Sequence, residues 1–221
     1  MGLDMYLTRF PRYKGYTPEE IIALDDFLDL RDKKEKYTFE EWTGKDISVV
    51  PKGADRAYLE KFYKTRYAAW DDEHRHPHKS IHEDVAYWRK ANAIHKWFVD
   101  RVQDGVDDCD YHREVTERDL KDLLDICETI LANVILEKGK VINGYRTGDN
   151  WEWEPILQDG KIITNRQLCE KLLPCQDGFF FGNTQYDQWY LDSIRRTQQV
   201  LERILRETDF ETQMIYYQSS W

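Results

Sequence analysis

No apolar run in this chain approaches the ~20 residues that a membrane-spanning helix needs. The first residues, MGLDMYLTRF, place Asp4 where a signal peptide would carry apolar residues. Cysteine is scarce. Cys109, Cys127, Cys169 and Cys175 include no Cys-x-x-Cys pair, which excludes the common zinc-ribbon and dithiol redox motifs. The four are read as reduced packing thiols of a cytoplasmic protein. Glycine-rich phosphate loops are missing as well. Gly178 to Gly182 reads GFFFG, without the Gly-Lys-Ser/Thr ending of a P-loop or the Rossmann spacing. No serine sits in Gly-x-Ser-x-Gly, so a nucleophile elbow is not encoded. A basic excess is lacking too. Against 42 acidic residues stand 32 Lys and Arg, for a net charge of −10. A field of that sign disfavours direct DNA binding and anionic membranes, but permits a small ligand in a local basic pocket. No cofactor and no bound metal are expected.

What is present is a polar, aromatic-rich globular chain. Its 221 residues are 41% hydrophobic and 33% charged, with eight Trp and fourteen Tyr. The length suits one domain with a core of its own. Leu3, Met5 and Leu7 alternate with polar neighbours and predict a strand. Thr17-Pro18-Glu19-Glu20 and Thr116 with Asp119 predict capped helix starts. Helices are also expected from about residue 55 to 70, from 165 to 173, and from Asn183 or Thr184 to about 207. Residues 140–164 are β-rich, and Asp159-Gly160 between Pro155-Ile-Leu and Lys161-Ile-Ile-Thr164 reads as a two-residue hairpin turn. Met214 to Tyr217 predict a last strand that pairs with the first. The expected fold is α+β, mainly helical, with a small antiparallel or mixed sheet.

The segment 80–105 is the most informative for function. Ser80 and Glu83 form a capping pattern, Gly105 suits a C-terminal cap, and Ile81, Val85, Trp88, Asn92, His95, Val99 and Val102 fall on one face of a single helix. Asn92 and His95 sit in the middle of that face, and a buried polar group needs partners. The functional reading is a pocket. Trp88 and Trp189 stack on a ligand, Arg89 neutralises an anion, Asn92 and His95 hydrogen-bond, and Tyr186 adds aromatic surface. The alternative is that Asn92 and His95 are satisfied core residues.

Two clusters could hold metals. His74, His76, His78 and His82 alternate, but no zinc-finger or His-Glu-x-x-His spacing is present, so a solvated loop is favoured. Asp107, Asp108 and Asp110 lack the calcium-loop pattern and read as a solvated turn.

The blocks MGLDMYL, VAYWRKANAIHKWFV with VQDGVDDC, LLPCQDGFFFGNTQYDQWY and the closing YYQSSW resemble an uncharacterised family found in phages, prophages and bacterial genomes. The resemblance leaves 9–82 and 140–164 unmatched, as sites of insertion in one domain spanning 1–221. It implies an accessory role in the host cell cytoplasm, with no activity attached. Three readings follow. The first is a protein that binds a small polar or anionic ligand, a nucleotide among the candidates. The second is a hydrolase of a phosphorylated small molecule, with His95 as acid/base and Asp107 or Asp108 assisting. The third is an acidic inhibitor of a host protein.

Overall fold

The computed structural model describes residues 2–13, 15–28, 82–148, 151–178 and 181–221. In chain order these form β1 (Asp4–Pro11), α1 (Pro18–Leu28), β2 (Glu83–Arg89), α2 (Asn92–Val102), α3 (Glu117–Asn133), β3 (Leu136–Thr147), β4 (Trp153–Ile163), α4 (Gln167–Leu172), α5 (Gln188–Glu207) and β5 (Gln213–Ser220). One sheet has the order β2-β1-β5, and β3 with β4 makes a second. Both sheets are antiparallel. The architecture is α+β, but it is not mainly helical. Strand reaches 31% against 38% helix.

The largest revision falls in 80–105. That segment is not one helix but a strand, a turn and a helix. Glu83–Arg89 pairs in the sheet, and Val85, Ala86 and Trp88 are buried. Val, Tyr and Trp fit a pleated surface better than a helix. The chain then turns at Lys90, whose φ of 56° is left-handed, and α2 begins at Asn92. Val85 to Val102 fit a 3.6 period by coincidence, across two elements. At the far end the helix stops at Val102 with Gln103 as its cap, short of the expected Gly105. Gly105, at φ 78°, gives its N–H to Val99 O at 3.0 Å.

The second revision concerns Asp159-Gly160, which is not a turn. β4 runs straight through it, with Asp159 opposite Lys140 and Gly160 opposite Gly139. The two glycines allow close passage of side chains instead. A Cβ on Gly160 would lie 2.6 Å from Val141 Cγ2, and one on Gly139 2.9 Å from Ile162. The strands are joined further on, where the Gly148 N–H bonds Glu152 O at 2.8 Å. The first sheet therefore joins the two chain ends to β2 and contains no part of this hairpin.

By spatial contact the chain divides into two compact units. One comprises Met1–Leu7, Val85–Thr208 and Tyr216–Trp221. Its helices follow their apolar spacing. In α3, Leu120, Leu123, Cys127 and Ile130 are buried, and Thr116 with Asp119 completes the anticipated capping box. Asp119 also takes Arg101 and Arg113, which hold its carboxyl far below the usual range. In α5 the buried row is Tyr190, Leu191, Ile194, Thr197, Leu201 and Ile204. Its cap is Asp187, not Asn183 or Thr184. The Asp187 carboxylate accepts from the N–H groups of Trp189 and Tyr190 at 2.8 and 3.1 Å.

The other unit comprises Thr8–Asp84 and Asp209–Ile215. Here the Thr17 box is present, with Thr17 N–H to Glu20 at 2.8 Å and Glu20 N–H to the Thr17 hydroxyl at 3.3 Å. Arg12 Nε donates to the carbonyls of Phe210 and Gln213. His82 pairs with the buried Asp25. The helix expected at 55–70 and the loop with His74, His76 and His78 lie outside the described residues.

Candidate functional site: a cationic cleft and a buried histidine network

Where β2 runs into α2, the chain makes the wall of a cleft of about 410 Å³. That size falls within the range of small-molecule sites. Arg89 and Lys90 stand at its rim. Ala91 precedes the helix with a side chain that cannot cap, so no side-chain hydrogen bond closes the start of α2. The first backbone N–H groups of a helix have no partner within it and carry partial positive charge. Across the cleft stand Trp189, 43% exposed, and Arg196, whose guanidinium also donates to Tyr87 O at 3.1 Å.

The charge here runs against that of the chain. Arg89, Lys90 and Arg196 meet one lining carboxylate, Asp192, and Arg195 pairs with it at 2.8 Å. Among the described residues neither Arg89 nor Lys90 makes an ion pair. Lys90 holds its place with a left-handed backbone, an uncommon conformation that Asp104 and Trp151 also adopt. Gly182, itself at φ 90°, comes close beside it. A Cβ there would meet Lys90 Cβ at 3.4 Å.

Asn92 lies beneath this wall and is a fastener. Its amide donates to Phe181 O at 3.1 Å and to Asn183 O at 2.9 Å, pinning the opposite loop to the start of α2. Trp88 is 1% exposed and gives its indole N–H to Thr197 Oγ1 at 2.9 Å. Its ring is covered and unavailable for stacking on a ligand. Tyr186 does not line the cleft. Its hydroxyl accepts the Cys175 N–H at 3.2 Å, and its ring meets Tyr190 edge-on. Of the six residues proposed from sequence, the cleft brings together Trp88, Arg89, Asn92 and Trp189, with only Arg89 and Trp189 exposed to it. Lys90 and Arg196 were missed. Lys90 adjoins Arg89 in sequence, but nothing in the sequence signals its backbone. Arg196 is one of many arginines on a helix.

His95 belongs to a different place. It is fully buried, it is not among the side chains lining the cleft, and both its ring nitrogens are engaged. Nε2 lies 3.0 Å from Asp107 Oδ1, and Nδ1 lies 2.7 Å from the Tyr217 hydroxyl. Asp107 can only accept, which assigns the proton to Nε2 and makes Tyr217 the donor to Nδ1. Burial pushes the His95 pKa down, and the charge of Asp107 opposes this without cancelling it. The imidazole is therefore neutral near pH 7. Tyr217 stacks on Phe98 at 4.3 Å, and its own pKa is driven well above 10 by burial. Asp107 accepts further bonds from Gln176 at 2.8 Å and the Trp221 indole at 3.1 Å.

The remaining candidates are also placed. Asp108 accepts from the Asp110 N–H and faces His112 at 2.9 Å. Among the described residues no three His, Cys, Asp or Glu side chains converge as a metal site. Cys127 and Cys169 are buried, and burial pushes Cys127 and Cys175 up to about 12. No described helix is long and apolar enough to cross a membrane. No protein-family model, curated protein or solved structure matches the chain.

Proposed function

We propose that the chain binds a small anionic ligand, of the phosphate-bearing class, in the cleft between the start of α2 and the first turns of α5. One observation carries this reading: Arg89 and Lys90, without ion-pair partners among the described residues, converge with Arg196 on an uncapped helix start in a strongly acidic chain. An anion there would meet guanidinium and ammonium charges and free backbone N–H groups together. Trp189 offers a flat apolar surface beside them, which suits a ligand that also carries a ring, such as a nucleotide. Together with the family resemblance, this reading describes an accessory factor that holds its ligand in the host cytoplasm.

The hydrolase reading depends on His95 reaching a substrate. Its two nitrogens are occupied and its ring is covered, so it draws no support from the geometry. The ligand should be released intact.

Thermal denaturation with inorganic pyrophosphate and with nucleoside di- and triphosphates tests the proposal. Ligand at a hundred times its dissociation constant adds about 2.7 kcal/mol to folding stability. The Arg89→Glu, Lys90→Glu double variant should abolish that gain while unfolding near the unliganded wild type. Chromatography of the recovered ligand should show it unchanged. If none of these anions stabilises the wild type, the proposal is wrong.

A further inference from the structure

Toward its turn, the β3–β4 hairpin exposes apolar side chains on one face. Side chains alternate along a strand, and paired residues share a face. Thr147 opposite Trp153, Tyr145 opposite Pro155, and Ile142 opposite Leu157 therefore lie together. Tyr145 is 47% exposed, Leu157 56% and Trp153 69%. Trp151, in the connecting turn beside them, is 87% exposed. The other face of the same ladder is mixed, with Ile156 43% exposed between polar pairs. There Arg146 pairs with Glu154 at 3.1 Å, and Asn143 donates to Gln158 at 2.9 Å. Solvent would be expected to select polar residues on both faces of a projecting hairpin. This one gathers Tyr145, Trp153 and Leu157 on one face beside its turn, an exposed apolar cluster of the kind that marks a contact surface.

We infer that this face is where two copies of the chain meet, hairpin against hairpin. Area supports a second copy. Full burial of a large side chain removes about 150–250 Å², so at their present exposure the four side chains offer on the order of 500 Å² per copy. A twofold contact uses the same patch twice, giving about 1,000 Å², about the smallest area that a specific interface buries. Charge supports it as well. β3 and β4 carry four basic and three acidic residues, in a chain of net charge −10. Two copies can approach there without the repulsion that the acidic remainder of each would impose. The mode is face packing, not strand addition. The register shift between Ile142 and Tyr145 interrupts the edge of β3, and Lys138, Lys140 and Lys161 guard the other half of the ladder. The inference does not depend on the ligand of the cleft.

Sedimentation equilibrium of the full chain tests it. The wild type should form a reversible dimer with a dissociation constant in the micromolar range. Trp153→Glu and Leu157→Glu should each weaken it about tenfold or more. Arg146→Ala, on the opposite face, should leave it unchanged, and all three variants should keep the wild-type circular dichroism spectrum. A wild type that stays monomeric at about 100 micromolar overturns the inference. Protection of residues 145–157 from hydrogen exchange in that monomer would then assign the cover to the chain itself. A dimer that survives both glutamate substitutions overturns it equally, since the contact then lies elsewhere.

Discussion

The stretch from Trp88 to His95 builds two regions that follow opposite rules. At its first half, Arg89 and Lys90 face a cleft with positive charge left unpaired and a helix start left uncapped. At its second half, His95 lies under full cover with Tyr217 on one nitrogen and Asp107 on the other. A buried polar group that is fully satisfied stabilises the fold and has little left to offer a ligand. An exposed cation without a partner contributes little to stability and remains free to bind. His95, the more conspicuous residue in the sequence, belongs to the structural region. Lys90, which draws no notice there, belongs to the available one.

The sharpest way to break this comparison is His95→Ala. It removes a buried ring and leaves the Tyr217 hydroxyl and part of the Asp107 carboxylate without their partner. The expected cost is about 3 kcal/mol of folding stability, measured by urea denaturation. Anion affinity of the folded variant should stay near wild type. A stable His95→Ala protein that loses its ligand would reverse the assignment of the two regions. Lys90→Gly comes next and should split the two properties. Glycine relieves the left-handed backbone, so the melting temperature should rise, by about 1 kcal/mol of stability. The lost ammonium should weaken pyrophosphate binding several-fold. A Lys90→Gly variant that is less stable than wild type would mean that its conformation is unstrained.

The smallest effect is on pH dependence. The folded chain holds the His95 proton less firmly than a free imidazole does, because burial disfavours the cation. The unfolded chain takes up that proton as pH falls below about 6.5, while the folded chain resists until lower pH. Stability from this site is therefore complete above about 6.5 and declines as the solution is acidified. Denaturation midpoints at about pH 7.5 and 5.5 should show the decline, and His95→Gln should flatten it. An unchanged slope in that variant would place the pH response elsewhere.

How much of this was legible depended on whether a signal was local. The boxes at Thr17 and Thr116 were readable because a cap is completed within four residues. The alternation of Leu3, Met5 and Leu7 was readable for the same reason, and β5 does lie beside β1. The break at Lys90 was not readable, since a lysine in a left-handed conformation looks like any other lysine. Asp159-Gly160 misled because glycine serves two purposes, a tight turn and a close crossing, and only the opposing Gly139 distinguishes them. Of the site, Arg89 and Trp189 were legible. That Trp88 is covered and that His95 has Tyr217 as a partner were not, because their partners lie more than a hundred residues away.

The order β2-β1-β5 also governs how the chain can be made. Its central strand is synthesised first and its last neighbour about 200 residues later, which at ~5–20 residues per second is a delay of roughly 10–40 s. Throughout that interval β1 has an open edge on the side that β5 will fill. Closing this sheet is a long-range event that early local helices cannot accelerate. A ribosome stalled before residue 213 would therefore hold a nascent chain whose first strand still seeks a partner, and a chaperone bound near the N-terminus would have most to protect at that stage.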